Sequence, residues 1–383
     1  MPKNLKEGWT QVTFGEMVEH IAERVQPTPD DGENYIGLEH LESGSLTVRR
    51  WGAEVALIGI KLRMRKGDIL FARRNAYLRR VAIAPHDGLF SAHGMIVRAR
   101  PSVVLPEFLP FFMQSDLFMD RAEQISVGSL SPTINWKTLA QEKFALPPLD
   151  EQRRIAEALW CLLDSTEAFQ RAEMHAVSTR EAYARTLWGV QALPFKRLSG
   201  VCLKIQDGTH FSPKSSAGEY RYVTSKNIRD GYLDLSDAGW ISKQEHDGIF
   251  KRCDVRYGDV LFTKDGANAG NVAVNDVQEP FSLLSSVAII RPNPEVLLGR
   301  YVFEYMRSRL GRGRILSHVK GSAITRLVLA QIRALEVPVP PLEVQQRCSD
   351  IFATLDRALG YTKHRITAVS EIRRHILNGL EVA

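Results

Sequence analysis

Gly67-Asp68-Ile69-Leu70-Phe71-Ala72-Arg73 returns as Gly258-Asp259-Val260-Leu261-Phe262-Thr263-Lys264, and Leu146-Pro147-Pro148-Leu149 returns as Val339-Pro340-Pro341-Leu342. Two stretches repeated in the same order identify an internal duplication. Other pairs keep that order: Tyr35-Ile36 with Tyr222-Val223, Glu42-Ser43-Gly44 with Arg229-Asp230-Gly231, and Gly128-Ser129 with Gly321-Ser322. The offset drifts from 187 through 191 to 193, so a common framework carries small insertions in its loops. A duplicated framework with divergent loops points to two related sites that read different things.

The punctuation within the first copy is that of a mixed α+β unit over residues 8–148. Residues 55–60 and 69–72 are short apolar, β-favouring runs, and Lys66-Gly67-Asp68 predicts a turn before the second. Residues 81–84 and 95–97 read as further strands. Phe108, Phe111, Phe112, Leu117 and Phe118 recur at helical intervals and predict a helix over 108–124, with its aromatics in the core. The second unit covers 195–339. Asp68 and Asp259 each follow the glycine of the repeated turn, where a turn-capping carboxylate is expected.

Each Pro-Pro signal is followed by a helical pattern, over about 150–188 and 343–380; the residue before a proline resists the helical region, so a helix is not expected to begin before Pro148. In the second, alternating steps of four and three select Cys348, Phe352, Leu355, Leu359, Thr362, Ile366, Val369, Arg373, Ile376 and Leu380, eight of them apolar. The same frame moved back by 193 runs from Ile155 to Leu187 with seven apolar positions of ten. So long a seam predicts a coiled coil. A helix of this length spans about 55 Å, more than a small domain covers. Antiparallel packing of the two helices on each other, with one module at each end, is the expected solution. Glu173, Arg180 and Arg373 interrupt the seam and are candidates for fixing its register or for facing a second protein.

At 383 residues the chain is long enough for two ordinary domains. Its apolar runs fall short of the ~20 residues of a membrane span, and its opening lacks the apolar stretch of a secretory signal, so cytoplasmic location is the expectation. Cys161, Cys202, Cys253 and Cys348 lie far apart without metal-ligand spacing and read as reduced thiols. No P-loop, dinucleotide fingerprint, amino-methyltransferase tetrad or histidine metal array is written in the chain. No catalytic centre, bound cofactor or metal is expected in it.

Net charge is +6, but ten Lys/Arg stand against two acids between Lys61 and Arg100. Within that patch, residues 71–80 hold Arg73, Arg74, Asn75, Tyr77, Arg79 and Arg80 with no acid, directly after a strand. Arginine forks suit guanine, asparagine suits adenine, and flanking arginines meet phosphates, so these six are candidate DNA contacts. The equivalent loop of the second copy offers Lys264, Asn268 and Asn271. His210, Lys214, Lys226 and Asn227 are further candidates, as are Arg312, Arg314 and Lys320. A non-catalytic coiled-coil scaffold with two protein-binding heads is the alternative reading, and the basic loops argue against it.

The chain resembles the specificity (S) subunits of type I restriction-modification systems. The resemblance rests on Gly8-Trp9, the repeated Gly-Asp-Ile/Val-Leu-Phe, the Gly-Ser loops, and Leu146-Pro147-Pro148-Leu149-Asp150-Glu151-Gln152-Arg153-Arg154-Ile155. The second copy departs from that last motif at Val344 and Cys348. It implies two target recognition domains (1–148 and 191–340), a central spacer helix (149–190) and a C-terminal one (341–383). Each domain would read half of a split, asymmetric DNA target, with the helix pair as spacer. It further implies partners: two modification subunits that use S-adenosylmethionine to methylate adenine, and restriction subunits that use ATP and Mg²⁺.

Overall fold

The computed structural model describes residues 5–190, 193–215, 217–317 and 326–380. The chain divides into two compact units, Met1–Gln170 with His364–Ala383, and Arg171–Lys363. Each long helix is therefore shared: one unit holds the start of the first helix and the end of the second, and the other unit holds the remainder.

Unit 1 opens with β1 (Thr10–Thr13), the short α1 (Phe14–Met17), β2 (Val18–Ile21), β3 (Arg24–Val25) and β4 (Tyr35–Ile36). Five strands follow in close succession: β5 (Lys61–Met64), β6 (Ile69–Phe71), β7 (Val81–Ile83), β8 (Gly88–Phe90) and β9 (Met95–Ala99). Then come α2 (Leu109–Gln114), α3 (Asp116–Gln124), α4 (Trp136–Leu139) and β10 (Lys143–Leu146), before the 37-residue α5 (Leu149–Arg185). The central sheet has the order β2-β9-β6-β7, beside a second sheet of order β3-β5-β8-β4.

Strand alternation explains why the apolar runs of β6, β7 and β9 are continuous. Ile69, Phe71, Val81, Met95 and Val97 join the helix-side core with Phe108, Phe112 and Phe118. Leu70, Ala82 and Ile96 face the other way, onto Ile36, Leu62, Met64 and Phe90. A strand covered on both faces needs apolar side chains at every position. Each large side chain so buried contributes about 1.5–3 kcal/mol. The aromatics of the predicted 108–124 helix are core residues, as expected, but Ser115 splits that helix into α2 and α3. Its Oγ donates to Phe112 O (2.6 Å) and accepts from Phe118 N (3.3 Å), ending one helix and capping the next.

Residues 55–60 do not form the expected strand. They are largely exposed, Val55 at 78% and Ile58 at 89%, with left-handed Gly52 before the run and left-handed Gly59 within it, and pairing starts only at Lys61. β-branched composition gives a strand only where another strand is available to pair with it, and among the described residues none pairs with this run.

Unit 2 repeats the plan with β11 (Phe195–Arg197), β12 (Cys202–Asp207), β13 (Tyr220–Val223), β14 (Gly239–Ile241), α6 (Lys243–Phe250), β15 (Val260–Thr263), β16 (Val272–Val274), β17 (Phe281–Leu283) and β18 (Val287–Pro292). It closes with α7 (Gly299–Arg307), α8 (Arg309–Ser317), α9 (Leu329–Ala334), β19 (Glu336–Pro338) and α10 (Leu342–Asn378). Its central sheet, β12-β18-β15-β16, pairs Val260 with Ile290 as unit 1 pairs Ile69 with Val97. Ser308 breaks α7 from α8 with the same kind of paired bonds as Ser115.

Two further locks are duplicated bond for bond. Gly67 and Gly258 hold φ of 89° and 85°, and the following aspartates cap the turn as expected, accepting from Arg65 N (2.7 Å) and Arg256 N (2.8 Å). Both carboxylates are buried and also bind an arginine of the neighbouring strand, Arg98 and Arg291. At the helix starts, Gln152 Oε1 accepts from Leu105 N while its Nε2 donates to Val103 O and Pro147 O. Gln345 does the same with Leu298 N, Val296 O and Pro340 O. The motif glutamine thus survives in the second copy because it seats the helix on its domain.

Along both helices the seam positions are buried or half-buried. Between residues 164 and 179 of α5 no residue is fully buried, yet Thr166, Phe169, Glu173 and Ala176 are all half-buried. In unit 1, Leu159 and Leu163 share a core with Leu377 and Leu380. In unit 2, Lys363 meets Glu173, Asp356 meets Arg180 and Cys348 meets Tyr183, so α10 descends as α5 ascends: the pair is antiparallel. A wider π turn at Thr186–Val190 ends α5, where Trp188 stacks on Phe352 at 5.2 Å and donates to Tyr301 Oη (3.0 Å). The fold is therefore α+β, with two similar mixed modules and two long antiparallel helices.

Unit 2 also carries an acid-sensitive cluster. Burial pushes the Asp254 carboxyl up, but Lys204 (2.5 Å) and Arg291 (3.2 Å) outweigh it and hold its pKa down at about 2, against an ordinary 3.8. A depressed carboxylate contributes its stability above the ordinary value and loses it as pH falls through the lowered one. Circular dichroism from pH 4 to pH 2 is expected to register a loss of unit 2 stability that is smaller in Asp254→Asn.

Candidate nucleic-acid interface

The basic loop of unit 1 joins β6 to β7 and is closed by Ala72 N donating to Arg80 O (3.0 Å). Its tip is a single 3-10 turn, Ala76–Leu78, between two left-handed residues, Asn75 (φ 56°) and Arg79 (φ 48°). Asparagine tolerates that conformation; arginine rarely adopts it without compensation. The compensation is a tripod of carboxylates from α3: Asp116 (2.5 Å), Asp120 and Glu123 (2.6 Å) all hold the Arg79 guanidinium.

That tripod corrects one expectation. Arg79 is a structural clamp: three carboxylates already engage its guanidinium, so in this structure its charge is not free for a phosphate. Arg80 turns inward as well, donating to Leu38 O (2.7 Å). Arg73, Arg74, Asn75 and Tyr77 remain together. Arg73 Nη2 donates to Ala92 O (3.2 Å) while its Nε is buried without a hydrogen-bond partner, and Arg74 Nη2 reaches Ser131 Oγ (3.2 Å). Among the described residues no carboxylate pairs with either. Tyr77 is exposed at 57%. His20 lies stacked on Trp136 (4.5 Å), its pKa lowered by burial and by the charge of Arg73.

The equivalent loop of unit 2, residues 264–271, is chemically different. Lys264 is fully buried and its Nζ pairs with Asp207 (3.4 Å) and Asp265 (3.9 Å), so it is a core ion pair and not a reader of bases. Asn227 is also buried, donating to Asp234 O and Asp237 Oδ1 and accepting from Thr224 N, which makes it a turn brace. Asn271 donates its amide to Ile228 O (3.1 Å) and ties the loop down. Arg312 pairs with Asp230 (2.7 Å), and Arg314 lies over the Phe195 ring (4.7 Å), turned toward its own domain. Lys226 pairs with Asp237 in solvent.

His210, at the edge of Asp207, exposed Lys214 and half-buried Asn268 are the expected contacts that this face still presents. Lys320 and the Gly321-Ser322 pair lie outside the described residues. Two residues escaped the sequence reading. Phe211 stands 82% exposed beside His210, and exposed Arg326 bridges Asp265 as Thr133 bridges Arg74 in unit 1. Position relative to the repeated Gly-Ser pair was the available signal for Arg326.

None of these residues forms a metal or nucleophile cluster. Among the described residues there is no group of three metal-ligating side chains and no helix long and apolar enough to cross a membrane. The four cysteines are free, and burial pushes the thiols of Cys202 and Cys253 up to about 12. What the two faces share is a rigid scaffold presenting short polar loops, one strongly cationic and one mixed.

Residues 6–173 and 194–371 match the family described as "Type I restriction modification DNA specificity domain", and the chain belongs to that family. It is a DNA sequence-specificity subunit with two recognition domains, and catalysis belongs to partner subunits. Among curated relatives it is similar to the type I restriction enzyme EcoKI specificity subunit of Escherichia coli, 23% identical over 76% of this chain and 68% of that one. The MjaIX specificity subunit of Methanocaldococcus jannaschii is 22% identical over 82% and 76%. The fold is also that of the type I restriction-modification S subunit from M. genitalium: TM-score 0.67, 16% identity, 99% of this chain and 97% of that one. A chain from a study of complex assembly and conformational transition of the type I R-M system gives TM-score 0.57 at 20% identity, covering 99% of each.

Proposed function

We propose that each unit reads one half of a bipartite, asymmetric DNA target and that α5 and α10 set the gap between the halves. Adenine methylation is carried out by two modification subunits using S-adenosylmethionine, and cleavage by restriction subunits using ATP and Mg²⁺; this chain supplies neither cofactor chemistry nor catalytic groups. The observation that carries the reading is the contrast between frame and loop. Turn, serine break and helix-seating glutamine are duplicated, while Arg73-Arg74-Asn75 is replaced at the same place by Lys264-Asp265-Gly266. Two equal frames with unequal loops suit a target whose halves differ.

The test is genome-wide adenine methylation in cells expressing this chain with its modification subunit, against cells lacking only this chain. A split motif that disappears with the chain is the expected result, and it gives both halves and the gap. Methylation unchanged by the deletion would contradict the assignment.

A further inference from the structure

Beside the basic loop of unit 1 stands a small hairpin with an apolar tip. Val127 and Thr133 exchange both backbone hydrogen bonds (3.1 and 3.0 Å), and Gly128 turns the chain at φ 121°. Thr133 Oγ1 donates to Ser131 O (3.0 Å), Asn75 N donates to Pro132 O (2.8 Å), and Arg74 reaches Ser131 Oγ (3.2 Å). The hairpin is thus fixed internally and bolted to the cationic loop. At its tip Leu130 is 95% exposed.

A leucine left in water at the end of a braced turn gains nothing for the fold, and its neighbours say what it meets. Arg73, Arg74 and Asn75 suit phosphates and base edges, whereas an apolar side chain among them suits the space between base planes. Chemistry on a base in a duplex requires that base to leave the stack, and the vacated space must be filled. We infer that Leu130 is a wedge that enters the base stack at the half-site read by unit 1 and holds the target adenine extruded. It is a positioning residue, and the inference rests on the function proposed above.

The test uses the complex of this chain with its modification subunits and two sets of duplexes: 2-aminopurine in place of the target adenine, in one half-site at a time, reads extrusion, and the matching duplexes that keep adenine, and with it the N6 amino group that accepts the methyl, read methylation. Wild type brightens 2-aminopurine on extrusion. In Leu130→Ala the brightening and the single-turnover methylation are expected to fall about tenfold at one half-site only. Leu130→Met retains both, and opposing the target adenine with a mismatched base restores Leu130→Ala, because an unpaired base costs less to extrude. Wild-type brightening and methylation in Leu130→Ala overturn the wedge while leaving the specificity role intact. Loss of the modification subunit on purification of Leu130→Ala, with wild-type extrusion regained once that subunit is added back in excess, also overturns it and assigns the tip to a protein interface. A wild-type complex without preference for any duplex overturns both readings.

Discussion

The complex carrying Arg73→Ala and Arg74→Ala is expected to bind its target duplex more weakly, by about 1–3 kcal/mol for each base edge that these arginines read. Its salt slope is expected to be shallower by about 1 for each phosphate that they neutralise. Arg79→Ala is the contrast. Among the described residues the side-chain hydrogen-bond partners of the two candidate readers are a carbonyl and a hydroxyl, with no carboxylate, so their charge is available to DNA. Arg79 already faces three carboxylates, and removing it leaves counterion release from DNA unchanged. Fluorescence anisotropy over a salt series separates the cases. Equal flattening by Arg79→Ala would mean that the tripod opens on the duplex and that the division between clamp and reader is wrong. The tripod also predicts that Arg79→Ala weakens the loop itself, because its left-handed residue then has no compensating pair.

The largest effect on stability is expected at Glu304. This carboxylate is completely buried and meets Arg180 (2.5 Å) and Arg300 (2.7 Å), while Asp356 closes the network on Arg180, Arg300 and Arg307. Arg180 itself is 6% exposed. Glu304→Ala leaves Arg180, Arg300 and Arg307 sharing Asp356, with Glu181 at 3.8 Å from Arg180 as the next carboxylate, and a buried charge stripped of its partner costs about 3–5 kcal/mol. That is a large share of the about 5–15 kcal/mol that stabilises a typical domain. Urea unfolding followed by the fluorescence of Trp188, whose ring stacks on Phe352 in the same unit, registers the loss. A shift below about 1 kcal/mol would place the network among exposed ion pairs, contrary to its burial.

Position 304 has Phe111 as its counterpart in unit 1, and Asp356 has Leu163, both at an offset of 193. The seam arginine is kept in both units: Arg373 lies over Phe111 (5.9 Å) and bonds Gly44 O (3.1 Å) and Gln114. The interruptions at Arg180 and Arg373 are thus one feature solved twice: each guanidinium lies over an aromatic ring, Phe352 or Phe111, and its hydrogen bonds go to carboxylates in one unit and to amide oxygens in the other.

Much of the architecture was legible because it is periodic or repeated. The seam from Cys348 to Leu380, the turn at Gly67 and the paired prolines are local patterns with one structural reading each. Charge in loops was legible only as a total. Lys264 looks like Arg73 until β12 supplies Asp207, and that partner is remote in sequence. The clamp on Arg79 did have a signal, since Asp116, Asp120 and Glu123 fall on one face of α3. Which arginine they would take depends on where the 3-10 turn points, and sequence does not carry that. Residues 55–60 failed for the opposite reason: their composition was right for a strand, and no strand was there to receive them.

The sharing of the long helices gives the chain an order of completion during synthesis. Unit 2, Arg171–Lys363, is continuous in sequence and has all its core residues once the ribosome has passed position 363. Unit 1 starts first but waits for Leu377 and Leu380, which join Leu159 and Leu163 in its core. The amino-terminal module is therefore the last to finish, and a translation error or early stop near the carboxyl end damages the module made earliest.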